Sequence, residues 1–440
     1  MNTPAIEVLA WGRRVGAVAP DPRLGSYAFA YDQDWRRSGI ELAPLTLPLD
    51  ARSAAFIFPS LPEATFHRLP GMLADALPDE FGNALIDAWM AEHGVPKSGV
   101  TTLDRLAYMG KRGMGALEFK PARGSHKESA APLAMKSLVE GARMLIEGKL
   151  SLDAHAKTAL ANIMKVGISA GGARAKAVIA WNPETEQIRS GQFEAAEGFE
   201  HWLLKFDGVG KDPELGTRAD YGRIEYAYYR MATQAGIEMS PCRLLEENGR
   251  AHFMTRRFDR EVVGGRTIKH HVQTLCAMDH LDFKQRGAHA YAQLFMLISR
   301  LRLGDEPMRQ IFRRMVFNVM ARNCDDHTKN SAFRMKQGGS WELAPAYDLT
   351  HAYNPKGEWT YQHLMSVNGK FDDITREDLL TEADRFGVRR PNDLLADVRA
   401  ALENWSGFAK EAGLSNSSSD RVAADFFTLV SSPTRKRSPA

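Results

Sequence analysis

The chain has 440 residues, 44% of them hydrophobic, and its 57 Lys and Arg nearly balance its 54 Asp and Glu, for a formal charge of +3. That length exceeds one small domain and sets an expectation of two or three, while the balanced charge creates no demand for nucleic acid as a direct partner. Cys242, Cys276 and Cys324 are unevenly spaced and form no CxxC pair, which argues against a disulfide scaffold or a cysteine-based zinc site and fits a reducing compartment. The start, MNTPAIEVLAWGRR, lacks the charged leader and apolar core of a secretory signal. No apolar run reaches the roughly 18–20 residues that span a bilayer. The expectation is a soluble cytoplasmic protein that does not engage a membrane.

In chain order, residues 5–60 carry short β-like runs (IEVLAWG, SYAFAY, LTLPL, AAFIF) separated by Gly, Pro and Asp, the pattern of a small sheet domain. From Pro70 to Met109 the periodicity turns helical, most clearly in LADALPDEFGNALIDAWM. PARGSHKESAAPLAMKS is polar with two prolines and reads as a linker. Residues 150–256 alternate between strand-like VGISAGGARAKAVIAW and HWLLKFDG, an amphipathic helix DYGRIEYAYYRMATQAG, and AHFMTRRFD. Beyond residue 285 the chain reads as helical, with one hairpin at 331–348. The closing SSPTRKRSPA has the composition of a disordered tail.

The segment RNCDDHTKNSAF (322–333) follows a helix in which Ile311, Phe312, Met315, Val316, Val319 and Met320 recur on one face. Phosphoryl transfer asks a protein for a carboxylate to receive the acceptor's proton and for oxygen ligands that hold Mg²⁺ on the phosphates. Asp325 and Asn330 have the D-x-x-x-x-N spacing of a base and a metal ligand; Asp326 falls one residue short of it. A turn at QGGS, folding the chain about Gly338–Gly339, places Asp348 opposite Lys329 and beside Asn330, as a second metal ligand. Pro345 is tolerable there only at an edge or a bulge. An ordinary polar surface loop carries the same residue types, and Asp325, Asp326 and His327 are also a candidate metal set for hydrolysis.

Upstream, GISAGGARAK (167–176) precedes the strand AVIAW. Small residues there let backbone amides approach phosphate oxygens, and Ser169, Arg174 and Lys176 add donors. It matches neither Walker A nor G-x-G-x-x-G, and a plain turn fits equally. Lys205 lies on the strand face opposite Trp202, Leu204 and Phe206, so it either reaches an anion or snorkels at an edge. Glu225 on the following helix is available as its carboxylate partner, and an exposed helix position suits it equally.

Taken together, SAGGARAK at 169–176, LLK at 203–205, RRFDR at 256–260, CDDHTKN and LAPAYDL resemble the motifs of the HipA kinases. WGRRVGAV, LPLD, LADALPDEFG and GALEFKP resemble the family's small N-terminal domain. The resemblance implies an α+β, two-lobed protein-kinase-like fold with a mixed α/β N-terminal subdomain and a mostly helical C-terminal lobe. The expected divisions are 1–125 for that subdomain, 126–258 for the N-lobe, 259–428 for the C-lobe and 429–440 for a basic tail. It implies a serine/threonine protein kinase that uses ATP and Mg²⁺, with Asp325 as base and Asn330 and Asp348 on the metal. Gly171, Gly172, Ala173, Arg174, Ala175, Lys176, Lys205, Arg256, Arg257, Phe258, His327, Lys329, Asn330 and Asp348 line the nucleotide site, and Ser169 is the autophosphorylation candidate.

The same resemblance implies a bacterial toxin that phosphorylates a translation-related protein such as an aminoacyl-tRNA synthetase. A small HipB-like DNA-binding antitoxin would restrain it, so that DNA is met only through the antitoxin. Arg174 departs from the family's usual Gln, and Arg256 is atypical at the segment whose backbone meets adenine. Two other readings stay open: a silent scaffold of the same fold that binds antitoxin or DNA, and the metal-dependent hydrolase. For the kinase, Asp325→Ala abolishes transfer and Asp326→Ala is milder; equal losses favour the hydrolase.

Overall fold

The computed structural model describes residues 3–123, 133–146, 163, 175–192, 194–209 and 220–429. The chain divides into two compact units. The first comprises Met1–Gly222, Ser240–Lys284 and Ser331–Ala344, and the second Arg223–Met239, Gln285–Asn330 and Pro345–Ala440.

In the first unit, strands β1 (Ile6–Ala10), β2 (Arg13–Asp21), β3 (Ser26–Tyr31) and β4 (Leu117–Lys120) form an antiparallel sheet in the order β3-β2-β1-β4. Of the four runs expected to be strands, IEVLAWG and SYAFAY supply β1 and β3. AAFIF contributes only an isolated bridge between Phe56 and Phe29, and LTLPL is turn. β2, with Val15 and Val18 fully buried, is an additional strand. The helical stretch is interrupted where Asp79 caps Glu80–Glu92, its side chain accepting the Gly82 amide. The capping box of Thr101 and Asp104 starts Thr102–Met109.

A second sheet of five antiparallel strands has the order β6-β5-β7-β9-β8. Its strands are β5 (Lys176–Trp181), β6 (Ile188–Ser190), β7 (Glu200–Lys205), β8 (Cys242–Glu247) and β9 (Arg250–Arg256). Every residue of β5 is buried, as a continuous apolar run in an inner strand should be. A third, three-stranded sheet pairs His271–Thr274 with Ala332–Met335 and the latter with Trp341–Leu343.

A buried ion cluster fastens the N-terminal sheet region to the segment after β9. Asp259 accepts Arg257 Nε and Nη2 at 2.9 and 2.7 Å, Arg260 Nη1 at 2.7 Å and the Gly115 amide at 2.8 Å. Arg260 Nη2 returns to Gly113 O at 2.8 Å. Burial opposes the Asp259 charge, but the two guanidiniums hold its carboxyl far below the usual range. Gly115 takes φ +77° there, and a Cβ would come within 3.2 Å of the Val272 nitrogen, so only glycine fits without strain.

The second unit is helical and includes Tyr291–Arg300, Asp305–Met320, Arg376–Arg385 and Pro391–Glu403. Tyr228, on a helix that enters this unit at Arg223, is fully buried against Phe317 and Trp405 and donates to Ala321 O. Residues 345–375 are mostly irregular, against the helical expectation, with a single short strand at Met365–Ser366. Cys242, Cys276 and Cys324 are free and buried. No helix among the described residues is long and apolar enough to cross a membrane.

Removing one partner from a buried ion cluster strands the others, at a cost of roughly 3–5 kcal/mol. Asp259→Ala should therefore lower the unfolding free energy read from urea denaturation by that amount, whereas Glu403→Ala, whose Arg399 pair is exposed, should leave it within about 0.5 kcal/mol of the wild type.

Candidate active site

The helix Asp305–Met320 buries all six of the periodic apolar residues read from the sequence. It ends at Ala321, and Arg322 turns the chain through φ +53°. The segment is then held by pairing rather than left as a surface loop. The Cys324 amide donates to Ala352 O at 2.9 Å, and the Ala352 amide to Arg322 O at 3.2 Å. Asn323 Nδ2 reaches Asn318 Oδ1 at 2.9 Å.

Two adjacent aspartates have opposite surroundings. Asp326 is buried, with its oxygens occupied. Oδ1 accepts the Leu364 amide at 2.7 Å, and Oδ2 accepts Tyr291 Oη at 2.8 Å and His363 Nδ1 at 2.9 Å. Burial disfavours a charged His363. The Cys324 sulfur, 3.8 Å from its Nε2, and the Asp326 carboxylate outweigh that and raise its pKa to about 10. Asp325 instead keeps 40% of its side chain exposed. Its Oδ1 accepts Trp359 Nε1 at 2.8 Å and lies 3.8 Å from His327 Nε2. The surrounding protein still desolvates it enough to raise its pKa; His327 and the Trp359 bond lower it, and Asp348 and Asp326 raise it further.

The turn Thr328–Asn330 brings Asn330 Nδ2 to Asp325 O at 2.7 Å. Tyr347 Oη donates to Lys329 O at 2.6 Å, fixing the residue before Asp348 beside the loop. Asp348 itself takes φ +54°, a left-handed conformation that non-glycine residues seldom adopt. Asp325, His327, Lys329, Asn330 and Asp348 thus form one neighbourhood. The route differs from the expected hairpin. Phe333 faces Leu343, Arg334 faces Glu342 and Met335 faces Trp341, a register one residue away from the one that sets Asp348 against Lys329. Pairing ends where Ala344 donates to Ala332 O, before Pro345. Asp348 therefore arrives by the Tyr347 anchor and not as a cross-strand partner.

Saturation of Asp326 also bears on the hydrolytic alternative, because a metal there would have to displace its existing hydrogen bonds. Among the described residues no group of three or more His, Cys, Asp and Glu is arranged to hold a metal. The Asp325 and Asp326 alanine comparison loses its simplicity, since Asp326→Ala removes a buried strut and needs a folding control.

In the first unit, Ser169, Gly171, Gly172, Ala173 and Arg174 lie outside the described residues. Ala175 and Lys176 open β5, with Lys176 facing Lys205 of β7. Lys176 Nζ lies 3.5 Å from Asp79 Oδ2, the side chains only 4% and 2% exposed. Lys205 Nζ stands 5.8 Å from the centre of the Phe253 ring. Glu225 is buried on the helix Tyr221–Gln234 and belongs to the second unit. At the segment after β9, the Arg256 amide donates to Pro241 O and the Arg257 amide to His201 O, while Phe258 O accepts Arg334 Nη1. The Arg257 side chain is committed to Asp259. Sequence reasoning missed Trp359, His363, Tyr291 and Asp79; no spacing links them to the loop or to Lys176.

Residues 168–405, more than half of the chain, match the model of the HipA-like C-terminal domain, and residues 6–120 match that of the HipA N-terminal domain. The chain belongs to the HipA family. The Serine/threonine-protein kinase toxin HipA of Shewanella oneidensis is 22% identical over 412 residues, covering 90% of this chain and 86% of the relative. A chain from the Shewanella oneidensis MR-1 toxin–antitoxin complex of HipA, HipB and operator DNA superposes with a TM-score of 0.62 at 19% identity. That match covers 95% of this chain and 94% of the other. The HipA assignment confirms the α+β, kinase-like fold expected from the sequence.

In this member of the HipA family, His363 carries a folded pKa above its ordinary value, so its pairing stabilises the fold fully below about pH 6.5 and is lost as pH rises toward about 10. Urea titrations should show His363→Gln destabilised most at pH 6 and converging on the wild type near pH 10.

Proposed function

We propose that this chain is an ATP- and Mg²⁺-dependent serine/threonine protein kinase and the toxin half of a toxin–antitoxin pair. The observation that supports this most is the gathering of Asp325, Asn330 and Asp348, distant along the chain, into one neighbourhood. Asn330 Nδ2 meets Asp325 O at 2.7 Å, and the Asp348 charge acts on the Asp325 carboxyl. In this reading Asp325 takes the proton of the acceptor hydroxyl.

The donor set fits magnesium. Asn330 gives its Nδ2 to Asp325 O, so its side-chain oxygen is what it offers a cation. With the Asp348 carboxylate, that makes an all-oxygen set of the kind Mg²⁺ takes alongside phosphates. The ion, when bound, neutralises charge on the phosphates. Repulsion between Asp348 and Asp325, which raises the Asp325 pKa, is the imbalance a cation relieves.

The remaining assignments rest on family membership. Lys205 serves the phosphates, together with Gly171 to Lys176. His327 and Lys329 line the nucleotide site, and the backbone of Arg256 to Phe258 meets the base. Ser169 is the autophosphorylation site. The divisions at residues 125, 258 and 428 separate the subdomain, two lobes and tail. The relative is named a kinase toxin, and the solved complex contains HipB and operator DNA. By analogy we assign this chain a small DNA-binding antitoxin, contact with DNA through it, a cytoplasmic location and a translation-related target such as an aminoacyl-tRNA synthetase.

Purified protein incubated with γ-labelled ATP and Mg²⁺ should incorporate label, on Ser169 among other positions, and lose it on chelation. Asp325→Ala should lower incorporation by about three orders of magnitude or more while melting like the wild type. Label that survives this substitution, or that never appears on folded protein, refutes the kinase assignment.

A further inference from the structure

Trp359 comes from the irregular segment 345–375, yet it touches the residue assigned as base. Its Nε1–H donates to Asp325 Oδ1 at 2.8 Å. His327 Nε2 lies 3.8 Å from that same oxygen. Asp325 Oδ2 accepts no hydrogen bond among the described residues. A carboxylate on a short side chain is a two-fold rotor, and a base is useful only if the oxygen facing the acceptor stays put. One donor on one oxygen stops that rotation. An indole N–H suits the task, because it donates once, carries no charge and does not ionise at ordinary pH.

The loop that carries the indole is built to hold it. The Asn354 amide donates to Thr360 O at 3.2 Å, the Gly357 amide to Asn354 O at 2.9 Å, and the Lys356 amide to Asn354 Oδ1 at 3.1 Å. The Arg286 side chain donates to the carbonyl of Glu358. Thr360 is buried on one side of Trp359, and the Asp326 partners His363 and Leu364 follow closely in sequence. The segment thus braces both aspartates of the loop, Asp326 through His363 and Asp325 through Trp359.

We propose that Trp359 is the positioning residue for phosphoryl transfer: by holding Oδ1 of Asp325 it leaves Oδ2 as the atom that accepts the proton. This rests on the kinase reading of Asp325. As the acceptor oxygen bonds to the γ-phosphorus and the bond from that phosphorus to the bridging oxygen breaks, ADP leaves and the hydroxyl proton passes to Oδ2. Trp359 touches neither substrate nor nucleotide in this scheme and acts only through Asp325.

Trp359→Phe keeps the ring and removes the donor. Labelled-ATP transfer should show kcat lowered about tenfold or more, with KM for ATP within about twofold of the wild type. Trp359→His, which keeps a ring N–H, should recover part of the loss. In an Asp325→Asn background the Trp359→Phe change should add nothing, because the group it positions is already disabled. The indole N–H resonance of Trp359, read in the folded wild type and in Asp325→Ala, gives a measurement that needs no Trp359 variant; it should move upfield when the carboxylate is removed. Wild-type kcat in Trp359→Phe, a faster variant, a loss confined to KM, an undiminished loss in the Asp325→Asn background or an unmoved resonance each overturns the proposal. Absence of transfer in the wild type overturns the kinase reading instead.

Discussion

The hydrogen bonds that Asp326 accepts from Tyr291, His363 and the Leu364 amide are the constraint on which the loop depends. They are buried, and a buried carboxylate is tolerable only when its oxygens are satisfied. Once Asp326 is anchored inward, its chain neighbour is free to turn toward Trp359 and His327. The protonated His363 makes the anchor a charge pair, and Tyr291 passes the network on to Asn318 of the preceding helix at 2.8 Å. A helix, a loop and an irregular segment are thereby locked into one arrangement.

The spacing of Asp325 and Asn330 is legible because it is local: the Asn330 side chain closes back onto the Asp325 carbonyl five residues earlier, and D-x-x-x-x-N describes that closure. Asp348 was placed in the right neighbourhood by a slightly wrong argument. Hairpin counting assumes that pairing continues, but the ladder stops at Ala344, and a tyrosine hydroxyl does the remaining work. Trp359 and His363 left no trace because their partners lie 34 and 37 residues away and the segment carrying them has no periodicity to read. Spacing set Asp325 apart from Asp326 but could not show what Asp326 does instead, because its partners Tyr291, His363 and the Leu364 amide are all distant in sequence.

Elsewhere, hydrophobic patterning identified the inner strand β5 and the helix before the loop, where burial is continuous or strictly periodic. It failed for LTLPL and for residues 345–375. The first has strand-like residues but no ladder to join. The second is stabilised by side-chain-to-backbone bonds, which leave no repeating signature.

The N-terminal sheet region is bound to the five-stranded sheet by charge as well as packing. Asp79 holds Lys176 at the start of β5, and burial pushes its carboxyl up to about 6 despite that lysine and the Gly82 amide. Asp259 holds Gly115 beside the segment that leaves β9. Both contacts are buried, so neither end of the five-stranded sheet moves without disturbing residues before position 120. Arg256, the last residue of β9, stands outside these buried links. Its amide donates to Pro241 O and its side chain pairs with the half-buried Glu200, while the neighbouring Arg257 carries the buried link to Asp259.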